Sequence, residues 1–140
     1  MMARRPYYQQ TAVLLIGGVL LFCIDQLTKW AVRTWRGGVC NDAAALSIAA
    51  PSLVLGVVSV AVIMALSIWW YRHEAHQHRE RIALVLIISG GASNTLDRLV
   101  RGCVTDFLDF FALWHFNIAD AAIALGAALF LWTLFSSRHE

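Results

Sequence analysis

Residues 11–32 read TAVLLIGGVLLFCIDQLTKWAV, and this stretch is apolar over most of its length. It is long enough to cross about 30 Å of hydrocarbon at about 1.5 Å per helical residue. Three further stretches share its length and its apolar character: 52–71, 82–100 and 117–135. The sequence therefore predicts an all-α membrane protein with four transmembrane helices.

The composition agrees with a membrane protein of one domain. The chain of 140 residues is 59% hydrophobic and only 14% charged, and its mean hydropathy is +0.63. A chain of this length holds one core, so we expect a single integral membrane domain over residues 1–140. The basic residues are dispersed without a basic stripe, which argues against nucleic-acid binding. No zinc or haem spacing is present, and we expect neither a metal nor a cofactor.

The charge distribution predicts the orientation of the spans. More arginines fall on the side that holds both termini than in the opposite loops, which places both termini in the cytoplasm. Most acidic residues map to the opposite half. Arg4 and Arg5 precede the first span, but no small-residue cleavage site follows, so we interpret it as an uncleaved signal anchor. The sequence therefore predicts a multi-pass membrane protein with most of its acidic residues on the side opposite the termini.

Two outer segments differ from the apolar spans. Segment 33–51 contains two glycines at 37–38 and Pro51, and it predicts a small periplasmic β-like platform. Segment 101–116 alternates acids with bulky aromatics, which suits a periplasmic interfacial helix or lid. Cys40 and Cys103 lie in these two segments and could pair outside the cytosol, a question that the sequence leaves open.

Asp106 and Asp120 bracket the segment between the third and fourth spans. A carboxylate at membrane depth costs several kcal/mol unless it is paired, hydrated or protonated. One interpretation is structural, because Asn117 resembles an N-cap with Asp120 in a capping box. The other is catalytic: two neighbouring carboxylates can share one proton across a bound water. This is aspartic peptidase chemistry, which needs no nucleophilic serine or cysteine.

Polar residues also cluster inside the first and third spans. Asp25 and Lys29 are four residues apart on one helix, where they form an internal ion pair or a polar wall of the site. Asn94 and Asp97 share a face of the third span. Asp97 can pair with an arginine of its own helix, either Arg101 or Arg98, in a structural network. Arg98 can instead extend to phospholipid headgroups.

Four segments in this order resemble one known family, lipoprotein signal peptidase, also called signal peptidase II. They are DQLTK at 25–29, GGASNTLDR at 90–98, GCVTDF at 102–107 and FNIAD at 116–120. The resemblance implies a bacterial inner-membrane aspartic endopeptidase with its active site at the periplasmic face. Such an enzyme removes the signal peptide of a prolipoprotein just before a diacylglyceryl-modified cysteine. It implies Asp106 and Asp120 as the catalytic pair. The residues that it implies as substrate-binding or supporting are Asp25, Lys29, Asn41, Asn94, Asp97, Arg98 and Asn117.

The resemblance also implies the partners of the chain. These are prolipoproteins with a diacylglyceryl cysteine and membrane phospholipid, with the chain acting as a monomer and as a target of the antibiotic globomycin. The chain departs from the family in segment 41–47, where Ala43 replaces a glycine and Leu46 a phenylalanine. This departure leaves open a non-catalytic lipoprotein-binding relative. A second alternative is a small proton-coupled transporter, in which the acidic residues form a relay.

Overall fold

The computed structural model describes residues 7–42, 51–72, 78–111 and 114–136. Among them are four helices long and apolar enough to cross a membrane, so the predicted four-helix membrane fold is confirmed. Each of the first three predicted spans falls inside one helix, and the fourth is displaced by one residue. The helices are α1 (Tyr7–Trp35), α2 (Ser52–Arg72), α3 (His78–Arg101) and α4 (Ile118–Ser136).

Helix α3 is the centre of the bundle, because it packs against α1, α2 and α4. Small residues let these helices approach closely. A Cβ atom on Gly90 of α3 would lie 2.6 Å from the carbonyl oxygen of Ala119 in α4. A Cβ atom on Gly126 of α4 would likewise lie 2.8 Å from the carbonyl oxygen of Ala83 in α3. The α3–α4 contact therefore depends on glycine at both ends.

Four short strands lie at one end of the bundle, which we call the strand end. Strand β1 (Val39–Asn41) pairs antiparallel with β2 (Val104–Asp106), and β3 (Leu108–Phe110) pairs antiparallel with β4 (Trp114–Phe116). The predicted β-like platform at 33–51 contains β1, whereas positions 43–50 lie outside the described residues. Ala43 and Leu46, the departures from the family pattern, fall in that gap.

The interfacial helix predicted for segment 101–116 is wrong, because this segment forms β2, β3 and β4. Asp109 sits between Leu108 and Phe110, an alternation with the period of two that favours a strand. Asp109 lies opposite His115 in the hairpin. The chain reverses at Phe111, whose φ of 53° lies in the left-handed region. The prediction noted the alternation of acids with aromatics but assigned it to a surface helix instead of to a strand.

A disulfide joins Cys40 of β1 to Cys103, the residue before β2, with their Cα atoms 5.6 Å apart. This settles the pairing that the sequence left open. Cys23 of α1 is a free, exposed cysteine. The disulfide and the β1–β2 ladder together fasten the end of α1 to the end of α3. The cytoplasmic placement of the termini and the single-domain organisation stay predictions.

Candidate active site

Asp106 is the last residue of β2 and is held by two asparagines. Its side chain is 1% exposed. The Asn117 side-chain amide donates to Oδ1 over 2.7 Å, and the Asn41 side-chain amide donates to Oδ2 over 2.8 Å. Both carboxylate oxygens therefore have a fixed donor, which fixes the orientation of the group.

Asp120 lies in the first turn of α4 and forms the predicted capping box with Asn117. The backbone N–H of Asp120 donates to Asn117 Oδ1 at 2.9 Å, and that of Asn117 donates to Asp120 Oδ2 at 3.2 Å. The side-chain amide of Asn94 in α3 donates to Asp120 Oδ1 at 2.7 Å. Asn117 thus contacts both carboxylates and holds Asp106 and Asp120 as neighbours.

The two aspartates differ in their exposure to water. Asp106 is buried, whereas Asp120 is half-buried, so water reaches the pair from the Asp120 side. Burial raises the pKa of Asp106 above its usual range, against hydrogen bonds from Asn41 and Asn117 and the positive charges of Lys29 and Arg98. A proton on Asp106 therefore persists to a higher pH than on an exposed aspartate. Arg98 of α3 interacts electrostatically with both aspartates.

Lys29 of α1 forms the predicted ion pair with Asp25 and also reaches α3. Its side chain is fully buried. The Nζ atom lies 2.6 Å from Asp25 Oδ2 and 3.2 Å from Asp97 Oδ2, and it donates to Asn94 Oδ1 at 2.8 Å. Because the Asn94 oxygen faces Lys29, its amide nitrogen faces Asp120. The buried cation therefore determines which way the Asn94 amide points.

Asp25 connects α1 to the beginning of α4. Its Oδ1 accepts a hydrogen bond from the backbone N–H of Ala119 at 2.9 Å, and its Oδ2 accepts one from Ser93 Oγ at 2.7 Å. The first N–H groups of a helix have no partner within that helix. Asp25 satisfies one of them and braces the turn that carries Asp120.

Asp97 forms ion pairs with α1 rather than with an arginine one turn further along α3. Besides Lys29, it lies 3.9 Å from Arg33 Nη1. The backbone N–H of Thr105 donates to Asp97 Oδ2 over 3.4 Å. Arg33 Nη1 in turn donates to Thr105 Oγ1 at 2.9 Å. Asp97 and Arg33 therefore anchor β2, the strand that ends in Asp106.

Sequence reasoning assigned no role to several members of this network. Gln26 donates from its amide to Ser93 Oγ at 2.8 Å and to Asp97 Oδ1 at 3.4 Å. Ser93 lies four residues before Asp97 and so shares its helical face, a spacing that could have identified it. Arg33 and Thr105 carry no comparable signal, because their contact depends on how β2 meets α1.

The structure thus brings most of the predicted site residues together at the strand end. Asp106, Asp120, Asn41, Asn94 and Asn117 form one hydrogen-bonded group. Lys29 joins this group to Asp25 and Asp97. The fold and this site define a four-helix membrane protein with a paired-aspartate site at one end of its bundle.

The family model for signal peptidase (SPase) II matches residues 17–136, and the chain belongs to that family. A lipoprotein signal peptidase of Pasteurella multocida is 41% identical over 88 residues, which are 60% of this chain and 53% of that protein. One from Photorhabdus laumondii is 44% identical over 87 residues, 59% of this chain and 52% of that protein. The chain matches about half the length of these relatives.

Two solved structures share the fold. Both are described as bacterial membrane enzymes, solved by the in meso method at 2.3 and 1.9 Å resolution. The first superposes with a TM-score of 0.82 over 99% of this chain and 94% of that one, and the second with 0.79 over 96% and 97%. Each is 21% identical to this chain, so the likeness bears on the fold alone.

Proposed function

We propose that the chain is an aspartic endopeptidase that removes signal peptides from diacylglyceryl-modified prolipoproteins by cleavage before the lipidated cysteine. The observation that carries the proposal is the contact of Asn117 with both carboxylates. An asparagine that binds two acidic side chains keeps them close enough to act on one water molecule. Membership of the signal peptidase II family supplies the substrate class.

In this proposal, Asp106 is the acid and Asp120 the base. The carboxylate of Asp120, which water reaches, takes a proton from that water as its oxygen attacks the scissile carbonyl carbon. Asp106, whose pKa burial raises, donates its proton to the carbonyl oxygen, and a gem-diol forms. The proton on Asp120 then passes to the leaving nitrogen as the C–N bond breaks, and Asp106 recovers its proton from the gem-diol hydroxyl.

The surrounding residues hold this pair rather than react. Asn94 and Asn117 orient Asp120, and Asn41 and Asn117 orient Asp106. Arg98 offsets the negative charge that the pair carries. Fixed donors of this kind need no reorganisation as charge moves in the reaction, which is where preorganised sites gain most of their rate.

The proposed location matches the substrate. A diacylglyceryl chain holds the modified cysteine in the outer leaflet, so the scissile bond lies near the headgroups. A strand end that faces the periplasm meets it at that depth. Confining enzyme and substrate to one membrane raises their effective concentration without new contacts. We accordingly propose membrane phospholipid as a contact and a monomer as the working form.

Cleavage of a diacylglyceryl-modified precursor by the purified chain in lipid tests the proposal. Asp106→Asn and Asp120→Asn should each lower the rate by about 1,000-fold or more, because each removes a proton donor or acceptor of the reaction. The matched control is Asp109→Asn, an exposed carboxylate in β3, which should cleave at the wild-type rate. Globomycin should inhibit the wild-type protein.

Three results would contradict the assignment. Near wild-type cleavage by either variant removes the aspartate pair from the mechanism. A wild-type chain that binds the precursor and never cuts it is the non-catalytic relative. Proton flux into liposomes that is lost on changing Asp120 identifies a transporter.

A further inference from the structure

Strand β1 carries one contact of the site and lies at the surface of the molecule. Asn41, its last residue, donates to Asp106 Oδ2. Val39 and Cys40 are exposed, and Asn41 is only half-buried, so the strand adds no side chain to the bundle core. Its ladder partner is the equally short β2. A two-stranded ribbon of this size is marginal by itself.

The Cys40–Cys103 disulfide holds this weak strand at the adjacent residue. Cys40 precedes Asn41, and Cys103 precedes β2, the strand that ends in Asp106. Cys103 is 8% exposed and therefore fixed in the packed part of the molecule. The covalent bond thus joins the exposed strand that supplies the amide to the buried strand that supplies the carboxylate.

We propose that the Cys40–Cys103 disulfide is a positioning element of the active site, which keeps the Asn41 amide on Asp106. This inference rests on the proposed function. A dithiol reductant opens the bond: it is oxidised to its own disulfide while Cys40 and Cys103 each gain a hydrogen. Cys40 is exposed, so such a reductant reaches it. With the bond open, β1 separates from β2, and Asp106 keeps Asn117 alone as its amide donor.

The experiment combines reduction with removal of the amide. Cleavage is measured for oxidised and dithiothreitol-reduced protein, as wild type and as Asn41→Ala. Reduction should lower kcat of the wild type by up to about tenfold, the upper range for one hydrogen bond between neutral groups, with KM little changed. It should have no further effect on Asn41→Ala, because the group on which the disulfide acts is absent.

Two further variants assign the effect to this disulfide. Cys23→Ser removes the free cysteine and should respond to reduction as the wild type does. The double variant Cys40→Ser/Cys103→Ser should cleave at the reduced rate with or without dithiothreitol.

A pH profile separates positioning from a general loss of structure. The hydrogen bond from Asn41 lowers the pKa of Asp106. Reduction and Asn41→Ala should therefore shift the limb of the kcat profile that Asp106 governs to higher pH by the same amount. In the hairpin, the exposed His115 of β4 is the strand partner of Asp109 and not of Asp106. The charged groups that act on Asp106 stay in place in both experiments; they are Lys29, Arg98 and Asp120.

An equal loss on reduction in wild type and Asn41→Ala would overturn the inference, and so would a reduced wild type with unchanged kcat. Hydrogen–deuterium exchange supplies a readout without activity: reduction should speed exchange in 39–41 and leave 83–90 of α3 unchanged. If oxidised wild type does not cleave, the proposed function fails, and the exchange result still decides whether the disulfide holds β1. Unchanged exchange in 39–41 contradicts the inference.

Discussion

Lys29 shows how a single buried residue connects the parts of the site. Its ammonium group contacts two carboxylates and one amide oxygen with no access to water. A buried charge is tolerated only where its partners compensate the lost hydration. The same ammonium group in turn compensates the buried negative charges of Asp25 and Asp97. The orientation of Asn94, and through it that of Asp120, depends on this balance.

Lys29→Met should therefore destabilise the protein by about 3 kcal/mol, because it leaves two buried carboxylates without their shared cation. Thermal unfolding in detergent micelles measures the loss. Adding Asp97→Asn to Lys29→Met should recover part of it by removing one uncompensated charge. Arg36→Met, at an exposed position, is the matched control and should unfold with the wild type. An unchanged unfolding temperature for Lys29→Met would contradict this account.

Much of the site was predictable at the scale of residues, because many of its interacting side chains lie close together in the sequence. The capping box of Asn117 and Asp120 follows from their spacing alone, as does the Asp25–Lys29 pair. The partners of Asp97 could not be predicted in the same way. They depend on the distance between α1 and α3, which no local spacing contains. Gln26 was overlooked for the same reason, whereas Ser93 could have been identified by its spacing from Asp97.

At the scale of elements, the α3–α4 contact leaves no room for a larger side chain at its glycine positions. Gly90 faces the carbonyl oxygen of Ala119, one residue before Asp120. Any side chain there has to move the backbone that carries the aspartate. Small residues at such crossings stabilise membrane helix pairs by letting their backbones approach.

Gly90→Ala should destabilise the bundle by about 1–3 kcal/mol through overpacking and lower cleavage by displacing Asp120. Gly17→Ala is the matched control: nothing lies within 4 Å of its added Cβ, and alanine is the better helix former. Thermal unfolding should place Gly90→Ala below the wild type and Gly17→Ala at or slightly above it. Equal unfolding temperatures for the two variants would contradict the packing argument.

The helices were predictable from the sequence, whereas of the strands only β1 lies in a segment for which β-like structure was predicted. A membrane helix requires a long apolar run, which is visible without knowing its neighbours. Strands β1 and β2 have three residues each, and their pairing joins positions far apart in the chain. For the segment before α4, a mixture of acids and aromatics fits either a surface helix or a hairpin. Only its period distinguishes the two.

At the scale of the whole molecule, the four helices alternate in direction. Helices α1 and α3 finish at the strand end, where α2 and α4 begin, so residues 7 and 136 lie at the opposite end. A persistent disulfide at the strand end is typical of proteins outside the cytosol. The disulfide and the arginine distribution therefore support the same orientation.

Labelling with a membrane-impermeant maleimide on intact cells tests that orientation. In a Cys23→Ser background, Arg36→Cys at the strand end should label from outside, because we expect this end to face the periplasm. Arg72→Cys, exposed at the opposite end, should label only after the cells are broken. Labelling in the reverse pattern would place the strand end, and the site with it, at the cytoplasmic face of the membrane.

The buried ion pair of α1 also bears on how the chain is made. Helix α1 leaves the ribosome before α3 exists, so Asp25 and Lys29 meet the lipid without Asp97, Ser93 or the start of α4. Because the two charges lie four residues apart on one helix and 2.6 Å from each other, the nascent helix carries a neutral pair into the bilayer. Helices α3 and α4 then add further partners to an Asp25–Lys29 pair that is already in the bilayer.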